Sequence, residues 1–226
     1  MLSNNVLVVA AHPDDEVLGG GGTIARHVDN GDKVFVLFLS DGVTSRANKS
    51  DEKAKLMRIK SGINASVCLG AEPPQYLNFL DNKMDTVPFL DVVQSVERVV
   101  SEINPTIVYT HHMGDLNIDH QITHKAVMTA VRPQPNCPVR EIYSFEVLSS
   151  TEWSTPSLES FFIPNRFVDI SSTLDRKLLA LKAYDNEMRK FPHSRSVESV
   201  SILARYRGST MGMSAAEAFK VERILD

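Results

Sequence analysis

The chain has 226 residues, 42% of them hydrophobic, enough for one large domain (1–226) with a full core. Its 24 Lys+Arg and 28 Asp+Glu leave a net charge of -4, and no basic block or basic–aromatic stripe occurs, which argues against nucleic acid as a partner. Two cysteines exclude a disulfide scaffold or thiolate cage, and no apolar stretch approaches the roughly 20 residues that span a bilayer, so the expectation is a cytoplasmic protein without an integral membrane segment.

Short apolar runs alternate with longer amphipathic segments through the first two thirds of the chain, the pattern of βα units and a mostly parallel sheet. A buried strand over 5–10 leads directly into His12-Pro13-Asp14-Asp15-Glu16 and then into glycines 19–22. A strand-to-helix turn lies at the carboxyl edge of a sheet, where open α/β folds place their ligands. There His12 and Asp15 offer two of the three ligands a catalytic zinc takes from histidines and carboxylates, and Asp14 is left as a general base for the attacking water. The glycines do not form G-x-G-x-x-G, and the acidic cluster would repel a pyrophosphate, so they read as room for close packing or substrate approach. Glu16 reads as structural, an acid at a helix start.

A helix over 20–30 and a strand over 33–39 follow, then Ser40-Asp41-Gly42 with Arg46 beyond it, positioned to reach a sugar hydroxyl or a phosphate. A helix over 51–69 and a strand over 74–79 lead to the polar turn Asp81-Asn82-Lys83-Met84-Asp85, in which Asn82 and Asp85 are candidates for binding hydroxyls. Beyond a helix over 88–103 and a strand over 106–110 lies a segment with three histidines and two aspartates in ten residues, His111-His112-Met113-Gly114-Asp115-Leu116-Asn117-Ile118-Asp119-His120. It supplies the third ligand. His120 is preferred, with Asp119 beside it as helix cap and supporting neighbour, and His124 falls one turn later on the same face of a helix over 119–132.

The proline-rich 133–138 is a loop, 141–145 a strand, and 149–158 a second loop around Trp153, whose ring suits stacking on a pyranose face. An edge strand over 165–170, a helix over 172–189 opened by a Ser/Thr cap, and a final long helix over 196–207 complete the reading. His193-Ser194-Arg195, after Phe191-Pro192, is a further candidate for the substrate pocket.

Ala11-His12-Pro13-Asp14-Asp15-Glu16 resembles the A-H-P-D-D-E signature of the PIG-L/LmbE-like N-deacetylases, and the later histidine-rich segment resembles that family's second motif. Supporting similarities lie at Ser40-Asp41-Gly42, Asp81-Asn82-Lys83-Met84-Asp85 and Ala216-Glu217-Ala218-Phe219. The resemblance implies a Rossmann-like three-layer α/β/α fold and zinc-dependent removal of an acyl group, usually acetyl, from the amine of a sugar. It maps zinc, or another divalent ion, onto His12, Asp15 and His120, and the base onto Asp14.

Relatives that carry a histidine three places before the last ligand use it on the tetrahedral intermediate or on the leaving amine; here that place is Asn117, which can donate to an oxyanion but cannot act as a general acid. Protonation of the amine then falls to Asp14, His111 or His112. The expected catalytic group is Asp14, Asn117 and Asp119, with Arg46, Asn82, His111, His193 and Arg195 on the substrate, a small N-acetylated sugar or glycoconjugate. Hydrolysis of another bond by the same metal site and a non-catalytic binding role are the competing readings, and a homo-oligomer is open.

Overall fold

The computed structural model describes residues 3–43, 52–158 and 160–226. Arg46 lies outside the described residues. Among the described residues seven strands form one sheet in the order β3-β2-β1-β4-β5-β7-β6. β1 (Asn5–Ala10), β2 (Lys33–Ser40), β3 (Gln75–Phe79), β4 (Ile107–His111) and β5 (Glu141–Phe145) run parallel, while β7 (Ala216–Ile224) is antiparallel to both β5 and β6 (Arg166–Asp169).

β1 lies inside the sheet between β2 and β4 and is apolar at every buried position because both of its faces are covered. Val6, Val8 and Ala10 pack under α1 (Asp15–Asp29), α2 (Glu52–Leu69), α5 (Leu174–Leu181) and α6 (Val197–Ser209). Leu7, Val9 and Ala11 pack under α3 (Phe89–Ile103) and α4 (Ile118–Ala130). The result is the expected Rossmann-like three-layer α/β/α arrangement. β2 flanks β1 on one side and β4 on the other, so the chain reverses direction across the sheet between β1 and β4 and opens a crevice at their carboxyl ends. No helix among the described residues is long and apolar enough to cross a membrane.

Three elements differ from expectation. α1 begins at Asp15 rather than at residue 20, with Gly20 (φ -147°, ψ 15°) as a non-helical kink inside it. The glycines serve close packing: a Cβ on Gly19 would lie 2.3 Å from Phe145 Cδ2, and one on Gly22 would lie 2.8 Å from Ile170 Cδ1. The helix expected over 172–189 stops at Leu181, continues as a 3-10 turn, Lys182–Tyr184, and then gives way to a turn over 185–187. Its Thr173 hydroxyl bonds to the Gly22 carbonyl at 2.9 Å instead of capping the helix.

β7 is the third difference: the helix over Val197–Ser209 is followed by a nine-residue strand that sequence patterning does not reveal. Its period-2 signal is broken by Glu217, which is 4% exposed and points into the protein. The Glu217 carboxylate accepts hydrogen bonds from Gly22 N (2.9 Å) and Thr23 N (2.7 Å), groups freed by the Gly20 kink. Lys177 Nζ completes the arrangement, 2.5 Å from Glu217 Oε1 and 2.9 Å from the Leu18 carbonyl. This buried pair, satisfied on both sides, ties β7 and α5 to the kink in α1.

Candidate active site

The turn after β1 closes on itself: His12 N donates to Asp15 Oδ2 at 2.9 Å, and Asp15 N to the His12 carbonyl at 3.3 Å. α4 brings His120 to the same place. Three ligand atoms then form a nearly equilateral triangle. His12 Nδ1 is 3.3 Å from Asp15 Oδ2 and 3.3 Å from His120 Nε2, and His120 Nε2 is 3.2 Å from Asp15 Oδ2. Tetrahedral coordination with bonds of about 2.0–2.1 Å requires edges of about 3.3–3.4 Å, so the triangle has the size of a zinc-type face.

The remaining ring nitrogens face carboxylates. His12 Nε2 lies 3.0 Å from Asp119 Oδ2 and 3.1 Å from Asp81 Oδ1, and His120 Nδ1 lies 3.1 Å from Asp115 Oδ1. Each imidazole thus presents one nitrogen to the triangle and anchors the other on an acid, the arrangement that fixes tautomer and orientation in metal-binding histidines. His12, Asp81 and Asp119 form a second close group. Asp119 is engaged there by backbone on both oxygens, accepting Asn82 N at 2.7 Å on Oδ2 and Met84 N at 3.1 Å on Oδ1.

The charge balance points the same way. Burial alone would lower the pKa of His12, but Asp119, Asp15 and Asp81 raise it well above the ordinary histidine value. Burial is likewise outweighed at His120, which Asp15 and Asp115 push up to about 9. Asp115, against its own burial, is held down at about 2 by His120 and by the hydroxyls of Ser150 and Thr151. A buried cluster that draws protons onto its imidazoles so strongly is one that favours a cation.

Asp14 stands beside the triangle, 1% exposed. Its Oδ2 is held by Arg195 Nη1 at 3.0 Å and Arg58 Nη2 at 3.5 Å, while its Oδ1 is buried without a hydrogen-bond partner. Arg58 is in turn anchored by Glu187 Oε1 at 2.6 Å, and Arg195 Nε by Ser149 Oγ at 2.7 Å. A polar cavity of ≈ 100 Å³ is lined by His12, Asp15, His120, Asp14, Arg58, Arg195, Asn82 and Asn117, among others.

The expected residues separate into two sets. His12, Asp14, Asp15, Asn82, Asn117, His120 and Arg195 meet at this cavity. Asn117, not Asp119, is the N-cap of α4: its Oδ1 accepts Asp119 N at 2.8 Å, and its Nδ2 donates to Asn82 Oδ1 at 3.0 Å. Asp119 also supports His12 rather than its neighbour His120, whose partner is Asp115, because the first turn of α4 points residue 119 back toward the β3 loop.

His111 is fully buried behind the site, stacked on His120 with ring centroids 3.9 Å apart. Its Nε2 accepts Ala11 N at 2.8 Å, and the cavity is closed to it. His112 Nε2 meets the Ser160 carbonyl at 3.0 Å, and His124 Nδ1 meets the His111 carbonyl at 2.8 Å, so both tie backbone together. His193 is exposed; its Nδ1 accepts Arg195 N at 3.0 Å, and its ring meets Trp153 edge-on at 5.6 Å. Asp85 is exposed outside the cavity in a 3-10 turn, Met84–Thr86.

Arg58 and Glu187 were not expected. The available signal was positional: Arg58 is the one charged residue on the buried stripe of α2 that includes Gly62, Ala65, Ser66 and Leu69. Nothing local marks Glu187.

The doubly covered sheet thus brings His12, Asp15 and His120 together at its switch point as a group that could hold a metal ion, with the Asp14 carboxylate at its side. Residues 7–131 match the PIG-L family, GlcNAc-PI de-N-acetylase, and the chain belongs to it. Similar proteins include the Escherichia coli (strain K12) deacetylase YaiS, 28% identical over 79% of this chain and 89% of that one. The diacetylchitobiose deacetylase of Thermococcus kodakarensis is 25% identical over 95% of this chain and 82% of its own length. The structure of GalB, the 4-carboxy-2-hydroxymuconate hydratase of Pseudomonas putida KT2440, shares the fold with a TM-score of 0.79 at 22% identity, over 99% of this chain and 98% of that one.

Proposed function

We propose that the protein is a metal-dependent N-deacetylase that hydrolyses the acetamide of an N-acetylated amino sugar, or of a small conjugate of one, to the free amine and acetate. The observation that carries this reading is the pairing of the His12–Asp15–His120 triangle with the partnerless Oδ1 of Asp14 in one cavity. Membership of the PIG-L family and the named activity of the chitobiose-type relative supply the bond and the substrate class.

Two imidazoles and one carboxylate suit zinc, and the same set accommodates iron or another divalent ion. When bound, the ion would polarise the amide carbonyl and make a water acidic near neutral pH. Asp14 Oδ1 would accept the proton of the attacking water while Arg195 and Arg58 hold Oδ2, so the acid is aimed without being blocked. The water oxygen forms a bond to the carbonyl carbon, and the C–N bond then breaks. Asn117 uses one amide hydrogen on Asn82, and the other is assigned to the developing oxyanion. With His111 and His112 both engaged behind the cavity, Asp14 is the group that returns its proton to the leaving amine.

The test is an assay of acetate and free amine across a panel of N-acetylhexosamines and their glycosides, with phosphate release from sugar phosphates in parallel and zinc or iron restored after chelation. Metal-dependent acetate release matched by free amine supports the reading. Metal-dependent phosphate release without acetate would replace it with the hydrolysis of another bond.

A further inference from the structure

Asp14 adopts an unusual backbone conformation for a residue with a side chain, φ 117° and ψ -27°. Aspartate enters positive φ more readily than most residues, yet this point lies well outside the small left-handed well near φ +50 to +70°. Such a conformation persists only where its surroundings impose it. Among those surroundings, Val17 N and Leu18 N donate to the Asp14 carbonyl at 3.1 and 2.9 Å, and the Asp14 amide is held by Glu16. Glu16 Oε2 accepts Asp14 N at 3.0 Å, and its Oε1 accepts the Tyr184 hydroxyl at 2.6 Å. Both Glu16 and Tyr184 are 1% exposed, and neither lines the cavity.

The same tyrosine supports the side chain of Asp14. Arg58 lies over the Tyr184 ring at 5.7 Å, and it is Arg58 whose Nη2 faces Asp14 Oδ2. α2 can approach this network because residue 62 is glycine; a Cβ there would stand 2.2 Å from the Tyr76 hydroxyl and 3.4 Å from that of Tyr184. Asp14 is therefore held twice, its amide through Glu16 and its carboxylate through Arg58.

We infer that Glu16 and Tyr184 are positioning residues for the proton-transferring Asp14: the Glu16 carboxyl, fixed by the Tyr184 hydroxyl, holds the Asp14 backbone at positive φ and so aims Oδ1 at the cavity. This rests on the role proposed for Asp14 above. A merely structural Glu16 would support helix α1 alone, and its loss would lower stability or metal content without a selective effect on turnover.

The test compares Glu16→Ala, Glu16→Gln and Tyr184→Phe with the wild type in metal-saturated enzyme, measuring kcat, KM and bound metal, with a crystal structure of Glu16→Ala. Gln can accept the Asp14 amide with its oxygen and donate to the tyrosine oxygen with its nitrogen. Glu16→Ala should lower kcat on the order of 10- to 100-fold with KM and metal content held, and the φ of Asp14 should leave the positive region. Glu16→Gln should recover most of kcat, and Tyr184→Phe should lower kcat less than Glu16→Ala. The inference is overturned by an Asp14 φ that stays positive in Glu16→Ala, by a Glu16→Gln as impaired as Glu16→Ala, or by kcat falling only in step with metal. If Glu16→Ala does not fold, an unchanged kcat in Tyr184→Phe overturns it. If the wild type deacetylates nothing, the functional reading falls, and the Asp14 φ of the variant decides the positioning claim by itself.

Discussion

Arg195 Nη1 lies 3.0 Å from Asp14 Oδ2, joining a loop that precedes α6 to the turn after β1 across 181 residues of sequence. Because Asp14 Oδ1 has no partner, this contact and the longer one from Arg58 decide which way the carboxylate points.

Arg195→Ala should therefore lower kcat on the order of 10- to 100-fold with bound metal unchanged. Arg195→Lys should restore only part of it, since a lysine cannot hold Asp14 and Ser149 together as the guanidinium does. Steady-state kinetics alongside metal analysis distinguish this from a loss of the metal site.

Asp119 and Asp115 each orient a different imidazole. Asp119→Ala and Asp115→Ala should each weaken metal binding about 10- to 100-fold while leaving the ligands in place. Competition with a chelator measures this, and wild-type affinity in both variants would show that the outer carboxylates are dispensable.

The buried Lys177–Glu217 pair governs stability rather than chemistry. Glu217→Ala leaves Lys177 without its ion-pair partner and two backbone amides without acceptors, and should cost about 3–5 kcal/mol in denaturant unfolding. Activity per folded molecule should be retained, since neither residue lines the cavity.

Glu16 gives the metal-free protein a pH signature. Burial, helped by the charge of Asp14 and opposed by the Tyr184 hydroxyl, pushes its carboxyl up to about 8 from an ordinary 4.5. The folded state then binds a proton that the unfolded state has released, so this contribution is fully present below the unfolded value and is lost as pH rises toward about 8. Glu16→Gln should flatten the dependence over that window. Parallel unfolding curves for the two proteins from pH 5 to about 8 would contradict the sign.

How much of this was legible follows from what is local. His12, Pro13, Asp14 and Asp15 are contiguous after a strand whose apolar run is unmistakable, and His120 falls after a second such strand, so the triangle could be read directly. The outer contacts could not. Whether Asp119 supports His12 or His120 depends on where the β3 loop meets α4, and Asn117 displaced it as the cap because its side chain reaches the Asp119 amide. Arg58 and Glu187 come from elements far apart in the chain, and their pairing leaves no periodic trace. β7 was hidden by Glu217, an inward charge that breaks strand alternation and makes sense only once the kink in α1 is known.

The central claim is a division of labour within one turn: His12 and Asp15, with His120, hold the metal, and Asp14 moves the proton. Bound metal and acetate release measured together on Asp14→Asn, His12→Ala and His120→Ala test it most directly. The account predicts that Asp14→Asn keeps near-stoichiometric metal and loses most turnover, while both histidine variants lose the metal itself. Equal metal retention in all three, or an Asp14→Asn that turns over like the wild type, would contradict it.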